Sequence, residues 1–205
     1  MIRQAEAQDV EAIHQICLLT AADGKDGTQH YHFPQLLYAI YVDPYLKHDP
    51  TCCFVAEDES GVCGYTLAAL NAGETLAWAV KETLPQLRRD FPLADPSGRR
   101  TVFDQALVEI LRHPFELPGF AVAYPSELHI DLHPRAQGRG LGRQLITRVC
   151  ARLEALASPG VFLGVSWQNE NARAFYRHLG FSQLAAIPEE TEFFGKKIAE
   201  GTGRH

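Results

Sequence analysis

Apolar positions along this chain follow two periods, and the places where one gives way to the other mark the elements. Arg3–Ala5 reads as a short first strand. Val10, Ile13, Ile16 and Cys17 then recur at helical spacing, with Asp9 placed as an N-cap. Turn-forming residues fill Ala22–His30, and a second helix is expected over Phe33–Ile40 with Pro34 in its first turn. Between Cys52 and Leu70, two β-type runs flank Asp58-Glu-Ser-Gly61, which predicts an antiparallel hairpin. Residues 71–125 carry helical patterns at Leu76–Arg89 and Val102–Arg112, separated by Pro92, Pro96 and Gly98. They read as an insertion or lid between strands.

The second half is more regular. Glu127–His133 alternates strictly and predicts a strand. Gly140–Ala157 predicts a helix with Leu141, Leu145, Val149, Leu153 and Leu156 on one stripe. Val161–Trp167 is a further strand. Asn169–Leu179 is a helix closed by Gly180, and Phe175 with Leu179 is expected to form its buried side. Strands near 182–187 and 192–198 end the fold. The tail 200–205 is expected to fray.

Composition narrows the function classes. With 205 residues, 46% apolar and 21% charged, the chain suits one ordered domain, here residues 1–199. A net charge of −6 excludes a basic nucleic-acid footprint. No apolar run is long enough to span a membrane, and the first residues lack an apolar signal core. A cytoplasmic protein is therefore expected. Its five cysteines, Cys17, Cys52, Cys53, Cys63 and Cys150, are odd in number and irregular in spacing, which points to free thiols.

The most informative segment is His133-Pro-Arg-Ala-Gln-Gly-Arg-Gly-Leu-Gly-Arg143. A strand enters a glycine-rich turn, and the turn opens a helix. Unpaired N–H groups at a helix start carry partial positive charge, and glycines let that backbone approach an anion. The segment is a phosphate-sized anion site. Neither the P-loop nor the dinucleotide fingerprint fits its spacing, because Gly142-Arg-Gln lacks Lys-Ser/Thr and the glycines recur as Gly138-x-Gly140-x-Gly142. Gln137-Gly-Arg-Gly-Leu-Gly142 instead resembles the Q/R-x-x-G-x-G/A loop of the GCN5-related N-acetyltransferases (GNAT). Asn169-Glu-Asn-Ala-Arg-Ala-Phe-Tyr176-Arg-His-Leu-Gly-Phe181 is similar to that superfamily's N-x-x-A-x-x-x-Y-x-x-x-G-F helix.

A narrower likeness exists. Thr51–Tyr65, Leu128–His133 and the helical insertion resemble the C-terminal acetyltransferase-like domain of eukaryotic protein O-GlcNAcase, from about Arg3 to Lys197. Those relatives have a degenerate coenzyme loop, whereas the loop here is intact. No glycosidase module is present.

The resemblance implies an α/β (mixed α+β) fold: a mostly antiparallel sheet, helices on both faces, and central strands that splay after His133. It implies acetyl-CoA as acyl donor and no metal. The cofactor residues it implies are Leu132, His133, Gln137, Gly138, Arg139, Gly140, Leu141, Gly142, Arg143, Asn169 and Tyr176, with Arg135 nearby. Leu132–His133 would pair by backbone with the pantetheine arm, and Tyr176 would protonate the leaving thiolate. The loop between the first two helices would border the acceptor, which nominates His30, Tyr31 and His32.

For the base, period-two geometry puts Glu127, His129, Asp131 and His133 on one strand face. Asp131 is favoured, Glu127 could act through water, and His133 ranks third. The same residues admit a metal reading, His129-x-Asp131-x-His133, which the acetyltransferase reading displaces. Two functions follow: acetyl transfer to an amine, or a cofactor-binding recognition domain without turnover. The acceptor would be a small-molecule amine or a protein lysine, and acidic character favours a cationic one. The protein would be a monomer or homodimer without nucleic-acid or membrane partners.

Overall fold

The computed structural model describes residues 1–198. The tail expected at 200–205 lies outside them, as does residue 199. Among the described residues, seven strands form one sheet in the order β1-β2-β3-β4-β5-β7-β6. They are β1 (Ile2–Gln4), β2 (Phe54–Asp58), β3 (Gly61–Ala69), β4 (Ser126–Leu132), β5 (Gly160–Ser166), β6 (Ser182–Ile187) and β7 (Thr191–Lys197). Neighbours are antiparallel except β4 and β5, which run parallel. The hairpin expected around Asp58–Gly61 is β2–β3. The first strand sits one residue earlier than its apolar pattern suggests.

Among the described residues, eight α-helices cover the sheet. Helices α1 (Val10–Thr20), α2 (Pro34–Tyr41), α3 (Asp43–His48), α4 (Ala72–Glu82), α5 (Leu84–Asp90) and α6 (Val102–Arg112) precede β4; α7 (Leu141–Ala155) and α8 (Glu170–His178) follow it. Each sheet face carries its own core. Leu128, Leu145, Val149, Leu153, Tyr176 and Phe194 pack with α7 and α8, while Ile13, Leu36, Tyr65, Leu67, Val108 and Leu111 pack with the earlier helices.

Two helix expectations need correction. Leu76–Arg89 is not one helix: α4 ends at Glu82 and α5 restarts at Leu84. Pro85 causes the break, since its ring has no N–H and would strike the preceding turn, while the first turn of a new helix tolerates it. Asp9 precedes α1 without capping it. Its carboxylate accepts from the Glu6 N–H at 2.8 Å and from Arg3.

Residues 71–125 are built into the fold, because Leu107, Val108 and Leu111 of α6 are core residues. Thr101 and Asp104 form a capping box at the start of α6. The fully buried Asp104 carboxylate also accepts from the backbone N–H groups of His32 and Phe33, both at 3.1 Å. One side chain thus ties the insertion to the α1–α2 loop.

The closed end of the β4–β5 seam is pinned by hydroxyls. Ser126 Oγ lies 2.7 Å from Ser158 Oγ and donates to the Leu70 carbonyl at 2.7 Å, and both serines are buried.

Asp104→Ala removes the acceptor for the Thr101, His32 and Phe33 backbone N–H groups and should destabilise the protein by about 3 kcal/mol. Urea unfolding of Asp104→Ala and Asp104→Asn checks this. The amide variant, which keeps one acceptor oxygen, should lose less, and equal small losses in both would show that the clasp carries little stability.

Candidate active site

The glycine loop starts where β4 ends. His133 Nδ1 accepts from the Arg135 N–H at 3.2 Å and so caps the short turn Pro134–Ala136. Gly138 and Gly140 then take φ of 72° and 76°. A Cβ at either would meet nothing within 4 Å, so backbone conformation, not space, calls for glycine there. Gly142 differs: a Cβ would sit 3.1 Å from Phe175 and 3.4 Å from Leu132 Cδ1. Among the described residues, no protein acceptor engages the N–H groups of Gly138, Arg139, Gly140, Leu141 and Gly142. They form a row of free donors at the positive end of α7.

The nearby arginines are less free than their sequence suggests. Arg135 and Arg139 both reach Asp58 in the β2–β3 turn, at 3.3 and 3.2 Å. The Ser60 N–H, followed by Arg135, holds the Asp58 carboxyl below its ordinary range. Arg143 Nη2 lies 2.8 Å from His178 Nε2.

β4 and β5 pair only at Ser126–Val161 and Glu127–Phe162 and then part. On its other edge β4 stays paired with β3 through Leu132, and the His133 N–H donates to the Cys63 carbonyl at 3.0 Å. Antiparallel pairing alternates, so Ile130 and Leu132 turn their N–H groups toward the gap. The Leu132 carbonyl is taken by Gln137 Nε2 at 3.2 Å.

Glu127, His129 and Asp131 share the face toward the core built by α1–α6. Each is half-buried. Tyr45 donates to Glu127 at 3.2 Å, and Tyr65, opposite Asp131 in the β3–β4 register, donates to Asp131. The His129 ring meets Tyr41 and Tyr45 edge-on, at 5.8 and 5.2 Å. Burial raises Glu127 to about 7 and Asp131 to about 6, and lowers His129 to about 4. In both carboxyls burial outweighs the tyrosine hydrogen bond, which acts the other way.

Two cavities adjoin this face. A smaller one of about 240 Å³ is lined by Asp131, Tyr65, Tyr31, Cys17 and Thr20. A larger one of about 760 Å³ extends past Glu127 beneath α4–α6. Tyr41 and His129 line both.

Helix α8 closes the other side. Asn169 Oδ1 caps it by accepting from the Ala172 N–H at 3.1 Å. Tyr176 packs among Phe175, Phe181 and Phe194, with ring centroids 5.3–6.2 Å away. Its hydroxyl has no hydrogen-bond partner among the described residues. Burial, then the Asp131 charge, pushes its pKa up.

A family model described as acetyltransferase (GNAT) domain matches residues 108–183. The solved structure of SsHAT superposes with a TM-score of 0.87 at 33% identity, covering 98% of each chain. The chain belongs to the GNAT acetyltransferase superfamily. Protein O-GlcNAcase of Rattus norvegicus is 23% identical over 203 residues, and this GNAT chain spans 96% of its own length but 22% of that relative's. A GNAT superfamily phosphinothricin acetyltransferase from Sinorhizobium meliloti, solved in complex with AcCoA, shares the fold at a TM-score of 0.56 and 19% identity, covering 98% of this chain and 90% of that one.

Within this GNAT fold, the nominated residues separate. Glu127 and Asp131 lie in the cleft, and Tyr31 joins them there. His30 and His32 do not: His30 packs on Phe103, and His32 Nδ1 binds the Arg99 carbonyl at 2.8 Å. His133 leaves the ionisable row because its ring caps a turn and its N–H pairs with β3, which also removes that N–H as a pantetheine partner. The buried side of α8 is wider than expected: Tyr176 is buried in it, and Phe175 and Leu179 pack half-buried against the same core. Tyr45 and Tyr65 escaped the sequence reading. The β3 alternation puts Tyr65 inward, but nothing local marks either as a carboxylate donor. Among the described residues, no group of three His, Cys, Asp or Glu is arranged for a metal ion.

The raised Glu127 has a thermodynamic consequence. The folded state keeps this proton up to pH 7 while the unfolded state releases it near 4.5, so its contribution to stability falls as pH rises through that window. Glu127→Gln should match wild type near pH 4.5 and exceed it by about 2 kcal/mol at pH 8. Denaturant unfolding at both pH values measures the difference, and a pH-independent gap would refute the desolvated carboxyl.

Proposed function

We propose that this protein is an acetyl-CoA-dependent N-acetyltransferase acting by direct transfer to an amine. The observation that supports it most is the coincidence of two free backbone edges. A row of unengaged N–H groups at 138–142 lies at the mouth of a sheet seam that opens after two residue pairs. The first suits a pyrophosphate, and the second suits an extended amide-bearing arm that adds to β4 as a strand would.

Gly138–Gly142 would hold the pyrophosphate by backbone, with Gln137 bracing the loop through the Leu132 carbonyl. Arg143 adds charge, while Arg135 and Arg139 share theirs with Asp58. Leu132, and in our reading Ile130, would pair with the arm, and Asn169 borders it. Acetyl-CoA supplies an acetyl group activated as a thioester. Asp131 takes the amine proton, directly or with Glu127 through water, so that the nitrogen lone pair is free to form the N–C bond. The N–H groups of the open β4 edge are the donors available to the thioester oxygen as it gains charge. The Tyr176 hydroxyl gives its proton to the sulfur as the C–S bond breaks. Tyr65 remains protonated because burial holds its pKa well up, and so it continues to orient Asp131.

A cofactor-binding domain without turnover is the second reading, favoured by the partnerless, deeply packed Tyr176 ring. Calorimetry with acetyl-CoA and a thiol-release assay over a broad amine panel separate the two. No binding sinks the first reading, and binding without thiol release supports the second.

Within the first, kcat/KM should fall below about pH 6 as Asp131 protonates. Asp131→Asn should lower kcat about 100-fold and remove that acid limb. Tyr176→Phe should lower kcat about 10- to 100-fold with acetyl-CoA affinity retained. Unchanged turnover in Tyr176→Phe would take the tyrosine out of the mechanism.

A further inference from the structure

The larger cavity contains more space than proton transfer needs, and its walls have a consistent chemistry. We infer that it receives the body of the acetyl acceptor, and that this acceptor is a small amine carried on an apolar, ring-bearing frame. The inference rests on the acetyl-transfer reading above and specifies its substrate class.

Size comes first. About 760 Å³ lies within the range of pockets that enclose drug-sized ligands. A bare alkylamine would leave most of it unfilled. The walls come next. Leu76, Ile110 and Phe120 from the insertion and Phe193 from β7 present carbon surface. Burying an apolar frame against such surface is favourable at about 25 cal/mol per Å². A polyhydroxylated sugar or a polyamine would lose hydration there without enough partners to replace it.

Charge supplies the third argument. Glu116, Glu127 and Glu190 line the cavity, and among the described residues no lysine or arginine does. One cationic or protonatable nitrogen is therefore welcome, and an anionic group is not. Position decides which end of the ligand enters first. Glu127 and His129 lie on β4, and His129 and Tyr41 also border the Asp131 cavity, so the amine would point to the seam and the frame away from it. The rim agrees with the interior. Phe115, Leu117 and Ile187 border the cavity while 56%, 38% and 47% exposed, an apolar margin without a partner among the described residues.

The test uses the full chain and three probes: 4-phenylbutylamine, n-butylamine and spermidine. Calorimetry, with and without coenzyme A, should show 4-phenylbutylamine binding at least about tenfold tighter than either comparator. Ala79→Trp, which fills the cavity, and Leu117→Asp, which places charge on its rim, should each remove about tenfold of that preference. Leu117 is part-exposed, so its variant guards against a folding failure at Ala79, and retained acetyl-CoA binding reports a folded protein. Equal or tighter binding of spermidine overturns the inference, as does a preference that survives both substitutions. Acetylation of spermidine or a lysine peptide with higher kcat/KM than 4-phenylbutylamine also overturns it while leaving acetyl transfer standing. Tight, variant-sensitive binding of 4-phenylbutylamine without acetylation supports the cavity assignment and removes acetyl transfer instead.

Discussion

The short parallel seam between β4 and β5 is the constraint on which the rest of the site depends. Two antiparallel halves, β1–β4 and β5–β7, meet along it, and only Ser126–Val161 and Glu127–Phe162 hold them together as strand partners. Buried backbone groups without partners are costly, so a seam that opens must be fixed at its closed end and must offer its open edge to something. The Ser126–Ser158 bond, with Leu70 as a further acceptor, provides the fixed end. On the far side of β4, the Leu132 side chain fills the space left by two glycines. A Cβ at Gly64 would collide with it, and a Cβ at Gly142 would press on it and on Phe175. The end of β4 is therefore held by β3 and α7 with no help from β5, and the gap can exist without loosening the strand.

Helix α8 is held by a different device. Glu192 on β7 is 2% exposed and accepts from both Arg173 and Arg177, which flank Tyr176 along α8. Each guanidinium also lies over an aromatic ring, Arg173 over Trp167 and Arg177 over Phe194. A buried ion pair is weak grounds for stability, but it is good grounds for orientation, since the carboxylate has few other ways to be satisfied. The helix has little apolar surface of its own apart from Phe175, Tyr176 and Leu179. Fixing its rotation by charge leaves the Tyr176 ring in the core with its hydroxyl close enough to Asp131 to feel its field.

Much of this was legible in the sequence where the signal is local. The apolar spacing of Val102–Arg112 announces α6 because helical period is set by the backbone. The Gly138–Gly142 turn announces a helix start because positive φ calls for glycine. The alternation of Glu127–His133 announces a strand because period two is set by the backbone. What stayed hidden depends on residues distant along the chain. Asp58 pairs with two arginines about 80 positions away, which no reading of the arginine segment could reveal. His133 matches the period of its neighbours but lies one residue past β4, where the chain has begun to turn. Tyr176 shares the buried side of α8 with Phe175 and Leu179, and the pairing of Arg173 and Arg177 with Glu192 on β7 fixes that rotation.

These hidden contacts also explain why three ionisable groups can share one strand face. Two carboxyls and an imidazole on alternate residues would repel or pair in water, and the ladder would have to accommodate their charges. Burial makes neutrality the cheaper solution, with both carboxyls shifted up and the imidazole shifted down. Near pH 5 all three are largely uncharged and the cleft is close to neutral. As pH rises through 6 and 7 the carboxyls ionise while His129 stays neutral, so negative charge appears only at the two positions where a tyrosine hydroxyl is already donating. A base that is desolvated yet oriented can take a proton from an amine without first reorganising its own solvent shell. The opposite polarity sits at the other end of the gap, in the N–H row and arginines of the glycine loop. The open seam therefore separates a positive anchor from a negative cleft, and that separation orients a ligand with phosphate at one end and an amine-reactive group at the other.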